Sequence, residues 1–164
     1  MARLNILHHI ATITTLNNND CWAAASAMVM RRHSVAGTDH VKAMAAAAGI
    51  PLSQGTLPDA SVRLLARVIR LGFHDFPIKE ITLAELERFL RRGPVVAFGH
   101  FNFPTRTTAL KHAVAIFGLT GDGTARHTKV HVKDPSASAS VNPFTTDWQF
   151  FSDQIADITF VLSY

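Results

Sequence analysis

The stretch that decides the reading is Asn17-Asn18-Asn19-Asp20-Cys21-Trp22-Ala23-Ala24-Ala25-Ser26-Ala27-Met28-Val29-Met30. The Asn/Asp run predicts a turn, in which Asp20 or Asn19 caps the orphan N–H groups of a helix from about Cys21 to Arg32. The helix is Ala, Met and Val on all sides, the pattern of a central buried helix. Its apolar run is about ten residues, too short to span a bilayer. Cys21 is the chain's single cysteine, so it has no internal disulfide partner. At a helix start it lies at the positive end of the dipole, which favours thiolate over thiol, and the thiolate is the nucleophile. The competing reading is an inert core cysteine.

Outward from this helix, three more follow. One fits Thr38 to Ala48, stopped by Gly49 and Pro51. Another fits Asp59 to Leu71, with Val62, Leu65, Ala66 and Ile69 on one face and Gly72 after it. A fourth starts at Thr82, which makes a capping box with Glu85, and stops at Gly93-Pro94. Beyond about residue 92 the composition turns to Val, Phe and Thr. Strands are expected at Val95 to Phe98, His112 to Leu119, Lys129 to Lys133 and Ile158 to Leu162, with Gly121-Asp122-Gly123 as a hairpin turn. Helices first and antiparallel strands second predict an α+β fold in one domain, residues 1–164. Its helical half covers about 1–92 and its sheet half about 93–164.

A thiolate nucleophile needs a base, commonly a distant histidine. Of nine histidines, His112 opens an apolar strand, where its ring can enter a cleft while Ala113 to Ile116 anchor the strand. Asp134 closes the partner strand of the hairpin, opposite the start of the first, and can hold the imidazole by its other nitrogen. Asn142 is the fallback for that third position.

Cys21-Trp22-Ala23-Ala24-Ala25, then Gly93-Pro94-Val95-Val96, His112-Ala113-Val114 and Lys133-Asp134-Pro135 resemble, in that order, the papain-like cysteine peptidases. The closest likeness is to the compact bacterial branch: leader-cleaving peptidase domains of bacteriocin exporters, which cut after a double glycine, and related secreted effector peptidases. The resemblance implies a Cys-bearing helix packed on a barrel-like antiparallel sheet. It also implies Cys21 as nucleophile, His112 as general base and acid, and Asp134 as orienting carboxylate. These families place a Gln six residues before the Cys to bind the oxyanion, and this chain has Thr15 there. Thr15, or the Asn17 amide, is the expected replacement, with the Cys21 N–H as the second donor. Likeness to secreted effectors implies a protein substrate, export into a target cell by a dedicated secretion system, and a cognate immunity protein as inhibitor.

Other residues have simpler readings. Trp22, Phe101 and Phe103 are candidates for the substrate cleft, the last two in a loop from Gly99 to Thr108 that precedes the His112 strand. Trp148, Phe150 and Phe151 read as core or interface. His127 and His131 are four apart in a strand, roughly 13 Å, too far to share an ion. Asp122 suits the turn. No metal or cofactor motif is present, and none is expected.

The chain of 164 residues is 48% apolar and 17% charged, which excludes a disordered protein. At this length folding buries roughly 70% of the extended chain's surface. The net charge of +4 comes without any dense Lys/Arg block, which argues against nucleic-acid binding. The first 16 residues hold no uninterrupted apolar run, so no cleaved signal peptide is expected and synthesis is assigned to a cytoplasm. Proteolysis is the leading expectation. The alternatives are a thiol deamidase or transglutaminase acting on glutamine, and an inactive peptidase-like binding module.

Overall fold

Seven antiparallel strands form the sheet of this computed structural model, which describes residues 3–17, 19–30, 39–76, 81–103, 110–136 and 142–164. In chain order the elements are β1 (Leu4–Leu7), α1 (Cys21–Val29), α2 (Asp39–Ala48), α3 (Asp59–Ile69), β2 (Gly72–Asp75) and α4 (Leu83–Leu90). They continue as β3 (Val95–Phe101), β4 (Leu110–Gly121), β5 (Lys129–Lys133), β6 (Phe144–Asp147), a helical turn α5 (Trp148–Phe150) running into Phe151–Ile155, and β7 (Ala156–Ser163). The strand order is β2-β7-β3-β4-β5-β6, and β1 pairs with the far end of β4.

The sheet is open, which corrects the barrel-like expectation. Closure would require β2 to pair with β6, and these stand at opposite ends of the order. Both edges are four-residue strands, and short edges limit exposed pairing without closing a barrel. The open sheet is covered on both faces, and its alternating side chains show why. Val96, Phe98, Ala113, Ala115, Phe160 and Leu162 pack with α1, α2 and α3. Val95, Ala97, Val114, Ile116, Ile158 and Val161 pack with α4 and with Trp148 and Phe151.

Every residue of α1 is buried, as its all-round apolar sequence predicts. Alanine faces alanine here: Ala113 and Ala115 share a core with Ala23, Ala24, Ala25 and Ala27. Small side chains on both partners let helix and strand approach closely. The local signals are also readable. Thr82 and Glu85 form a reciprocal capping box at α4, and Gly49 takes φ +64° after α2. At α3 the left-handed cap is Arg70 (φ 57°), not Gly72, which instead opens β2. Strands β1 and β2 come from the stretch read as helical. The helix extension to Arg32, the Thr38 start of α2 and positions 104–108 of the Gly99–Thr108 loop lie outside the described residues.

Candidate active site

Cys21 is the first residue of α1, and its side chain reaches the head of a cleft. The residue is only 8% exposed, so the cleft is the approach to its sulfur. As the opening helical residue its N–H has no intrahelical carbonyl partner. The anticipated side-chain cap is not made. Asp20 occupies the N-cap position with no side-chain cap bond, and its Oδ2 turns back to accept the Leu16 N–H at 3.0 Å. The Asn19 amide instead donates to the Ser53 carbonyl at 3.4 Å. Asp20 is fully buried, and its Oδ1 has no hydrogen-bond partner among the described residues. Burial pushes its carboxyl pKa up, against the pull of hydrogen bonds from the Leu16, Asn17 and Asp20 N–H groups.

His112 and Asp134 meet where β4 begins and β5 has just ended. His112 Nε2 lies 2.6 Å from Asp134 Oδ1, with both side chains buried. Cys21 lies within reach of the same ring, where its sulfur favours the charged imidazole. Since Asp134 engages Nε2, the nitrogen left for the sulfur is Nδ1. Burial opposes charge on the ring. The hydrogen bonds to Asp134 and Cys21 and the attraction of both groups outweigh it, and the pKa is raised to about 9. The Phe101 ring meets the imidazole edge-on, centroids 6.4 Å apart. Asp134 Oδ1 also accepts the Ser136 N–H at 2.8 Å. Asn142, the fallback carboxylate substitute, bonds the Asp134 backbone instead: its Oδ1 accepts the Asp134 N–H at 3.0 Å and its Nδ2 donates to the Asp134 carbonyl at 2.7 Å.

The cleft measures about 350 Å³. One wall is the segment Gly55 to Asp59, the other the sheet at Phe98, Gly99, Lys111, Ala113 and Phe160. Trp22 lines it and is itself buried, its indole N–H donating to the Gln54 carbonyl at 3.2 Å, so it serves packing and cleft wall together. Phe101 and Phe103 do not line it. They stack on each other in the core on the α4 side of the sheet, centroids 5.7 Å apart. The walls that sequence reading missed, Gly55 to Asp59 and Phe160, come from distant segments with no motif. Their only signals were the Gly55 and Pro58 turn residues and a strand pattern around Phe160.

Thr15 and Asn17 are placed differently. The Thr15 N–H donates to the Pro135 carbonyl at 3.0 Å, which sets Thr15 beside the Asp134 segment. Asn17 is exposed, and its amide oxygen accepts the Asn19 N–H at 2.9 Å. Neither lines the cleft as it stands. His127 bonds Asp122 in the turn, and His131 sits between Thr120 and Thr145. Trp148 and Phe151 are core, while Phe150 is exposed. Among the described residues no cluster of three His, Cys, Asp or Glu side chains could hold a metal ion, and no helix is long and apolar enough to cross a membrane.

A thiol at a helix start and an imidazole within its reach line one cleft, with a buried carboxylate behind the imidazole, which is the arrangement of a thiol-dependent hydrolase. Over residues 3–149 the chain matches the family described as papain-like cysteine protease AvrRpt2, and it belongs to that family. Its enzymatic class is therefore cysteine-type peptidase. No individual protein of curated function matches the chain.

Proposed function

We propose that Cys21, His112 and Asp134 are the catalytic triad of a protease that hydrolyses peptide bonds of a protein substrate. The observation that carries the reading is the buried His112–Asp134 bond of 2.6 Å, with Cys21 and His112 lining the same cleft. The Cys21 thiolate attacks the scissile carbonyl carbon, and the C=O electron pair moves to oxygen. The tetrahedral adduct collapses, the C–N bond breaks, and the leaving amine takes the Nδ1 proton of His112. A thioester remains. His112, now neutral, takes a proton from water as that water attacks the thioester; the C–S bond breaks, and acid and thiolate are released. The oxyanion is received by the Cys21 N–H and the Thr15 hydroxyl. Thr15 is half-buried, its backbone is tied beside Asp134, and its hydroxyl makes no bond to a described residue. The Asn17 Nδ2 is the other candidate donor; its amide oxygen accepts the Asn19 N–H within the turn.

The reading extends to a preference for double-glycine sites, to export into a target cell, and to a cognate immunity protein that blocks the cleft in the producing cell. Protein N-termini compared in cells expressing wild-type and Cys21→Ala chains test the whole. New termini that vanish in Cys21→Ala, and in His112→Ala, support proteolysis, and the residues before the cuts report the glycine preference. A gain of about one mass unit on intact targets would establish deamidation instead. An unreactive Cys21 toward iodoacetamide at mildly acidic pH would leave only a binding module.

A further inference from the structure

We propose that Asn142 is a positioning residue for the reaction, which rests on the triad reading: its carboxamide holds the Asp134 backbone in place so that the carboxylate stays on His112. Strand β5 pairs with β4 as far as Lys133 and with β6 as far as Val132, opposite Phe144. Asp134 stands beyond the last pair of both ladders. Continuing the β5–β6 register outward by two residues on each strand brings Asp134 opposite Asn142. There the ladder's backbone bonds have ended, and the Asn142 side chain makes them instead, accepting the Asp134 N–H at 3.0 Å and donating to the Asp134 carbonyl at 2.7 Å. A carboxamide carries the same donor and acceptor as a peptide group, so one side chain replaces a strand residue on both bonds. The need is local. Asp134 is 2% exposed, and buried backbone groups left unpaired are costly. The same residue must also hold Oδ1 on His112 Nε2 at 2.6 Å, a distance that small backbone drift would lengthen. With Asn142 bonding the main chain and the Ser136 N–H bonding Oδ1, the carboxylate is fixed at its base and at its tip.

The test uses purified full chain and needs no identified substrate. The His112 ring is titrated by NMR, and Cys21 alkylation by iodoacetamide is timed at pH 5 in wild type, Asn142→Ala, Asn142→Asp and Asp134→Ala, with Tm recorded for each. Expected for Asn142→Ala is a fall of at least about one pH unit in the His112 midpoint and alkylation slowed about tenfold. Asn142→Asp, which keeps the acceptor but faces the carbonyl with a second oxygen, behaves likewise. A merely structural Asn142 would lower Tm and leave the midpoint and the alkylation rate of the folded protein at wild-type values, which overturns the proposal. If Asn142→Ala does not fold, Asn142→Asp is read by the same criteria. Should Asp134→Ala itself leave the His112 midpoint unmoved, the triad reading fails rather than the clamp.

Discussion

Replacing Asp134 by Asn removes the charge behind His112 while keeping its shape and an acceptor oxygen. The ring's pKa is raised from 6.5 to about 9; that difference is about 3 kcal/mol of net preference for the protonated imidazole, which Asp134 and Cys21 supply together against burial. A hydrogen bond to a charged partner exceeds a neutral one by about 1–1.5 kcal/mol, so Asp134→Asn should lower the ring's pKa by about one pH unit. On a peptide containing the cleaved site, kcat/KM depends on the thiolate–imidazolium pair. Its alkaline limb should fall near pH 9 in wild type and at about 8 in the variant, with the maximum lowered about tenfold. Stability carries the same signature. A histidine raised above its unfolded pKa contributes fully below about 6.5 and loses that contribution as pH rises through about 9. Tm should therefore drop between pH 6 and pH 10 in wild type, and by less in Asp134→Asn. An alkaline limb at the same pH in both proteins, or one near 6.5 in wild type, would refute the assignment of Asp134 as the group that holds the imidazolium.

Thr15→Ala should lower kcat on peptide by about a hundredfold while iodoacetamide alkylation of Cys21, which develops no oxyanion, keeps its rate. Thr15→Gln, with an amide on a longer arm, should raise kcat above wild type in the same assay. Asp20→Asn should raise Tm at pH 7 by about 2–4 °C in a thermal melt. A carboxyl whose folded pKa is raised destabilises the fold once ionised, and wild type regains that stability as pH falls through the folded value, so the variant should gain less on acidification. In Gly99→Ala the new Cβ would lie 2.1 Å from the Asp157 carbonyl oxygen, backbone that cannot rotate away. Strand β3 must shift where Gly99 faces His112. Urea denaturation should show a loss of about 3 kcal/mol, accompanied by lower activity.

The central helix and the hairpin were legible because each rests on a long or unambiguous pattern. Residues Cys21–Val29 are apolar on every side, and the β4–β5 pairing is marked by Gly121-Asp122-Gly123 with β-branched residues on each flank. Strands β1, β2 and β6 have four residues each, too few for a period of two to stand out, and partners far along the chain decide them. Barrel closure was illegible for a related reason. Whether edges meet depends on strand order, and β7, last in sequence, inserts between β2 and β3. At the site, Cys21, His112 and Asp134 were singled out from chemistry placed at element ends, and the structure sets Cys21 and His112 at one cleft with Asp134 on the His112 ring. Phe101 and Phe103 were misplaced because an aromatic near a cleft and an aromatic under it read alike in sequence. What separates them is the face each side chain takes, and both take the α4 side. The Asp20 carboxylate was misjudged through a local rule. An Asp before a helix is a good cap, yet here a bond to Leu16 competes successfully for it.

Cys21 and Asp134 lie on different halves of the chain, and sheet pairing alone does not set the distance between them. A second set of contacts does. Lys133 Nζ donates to the Ile10 carbonyl and to Thr12 Oγ1, both at 2.8 Å, and the Thr15 N–H donates to the Pro135 carbonyl at 3.0 Å. The residues on either side of Asp134 therefore bind the segment that leads into Asp20 and Cys21. The end of β5 and the approach to α1 are thus held to one another. A ring that serves both residues needs that spacing, because Nε2 on the Asp134 carboxylate leaves Nδ1 for the Cys21 sulfur. Leu16 and Asp20 complete the chain of contacts, closing the turn between the anchored Thr15 and Cys21 with a 3.0 Å bond. Even so, the turn keeps a buried carboxylate whose second oxygen has no partner among the described residues, and burial raises its pKa.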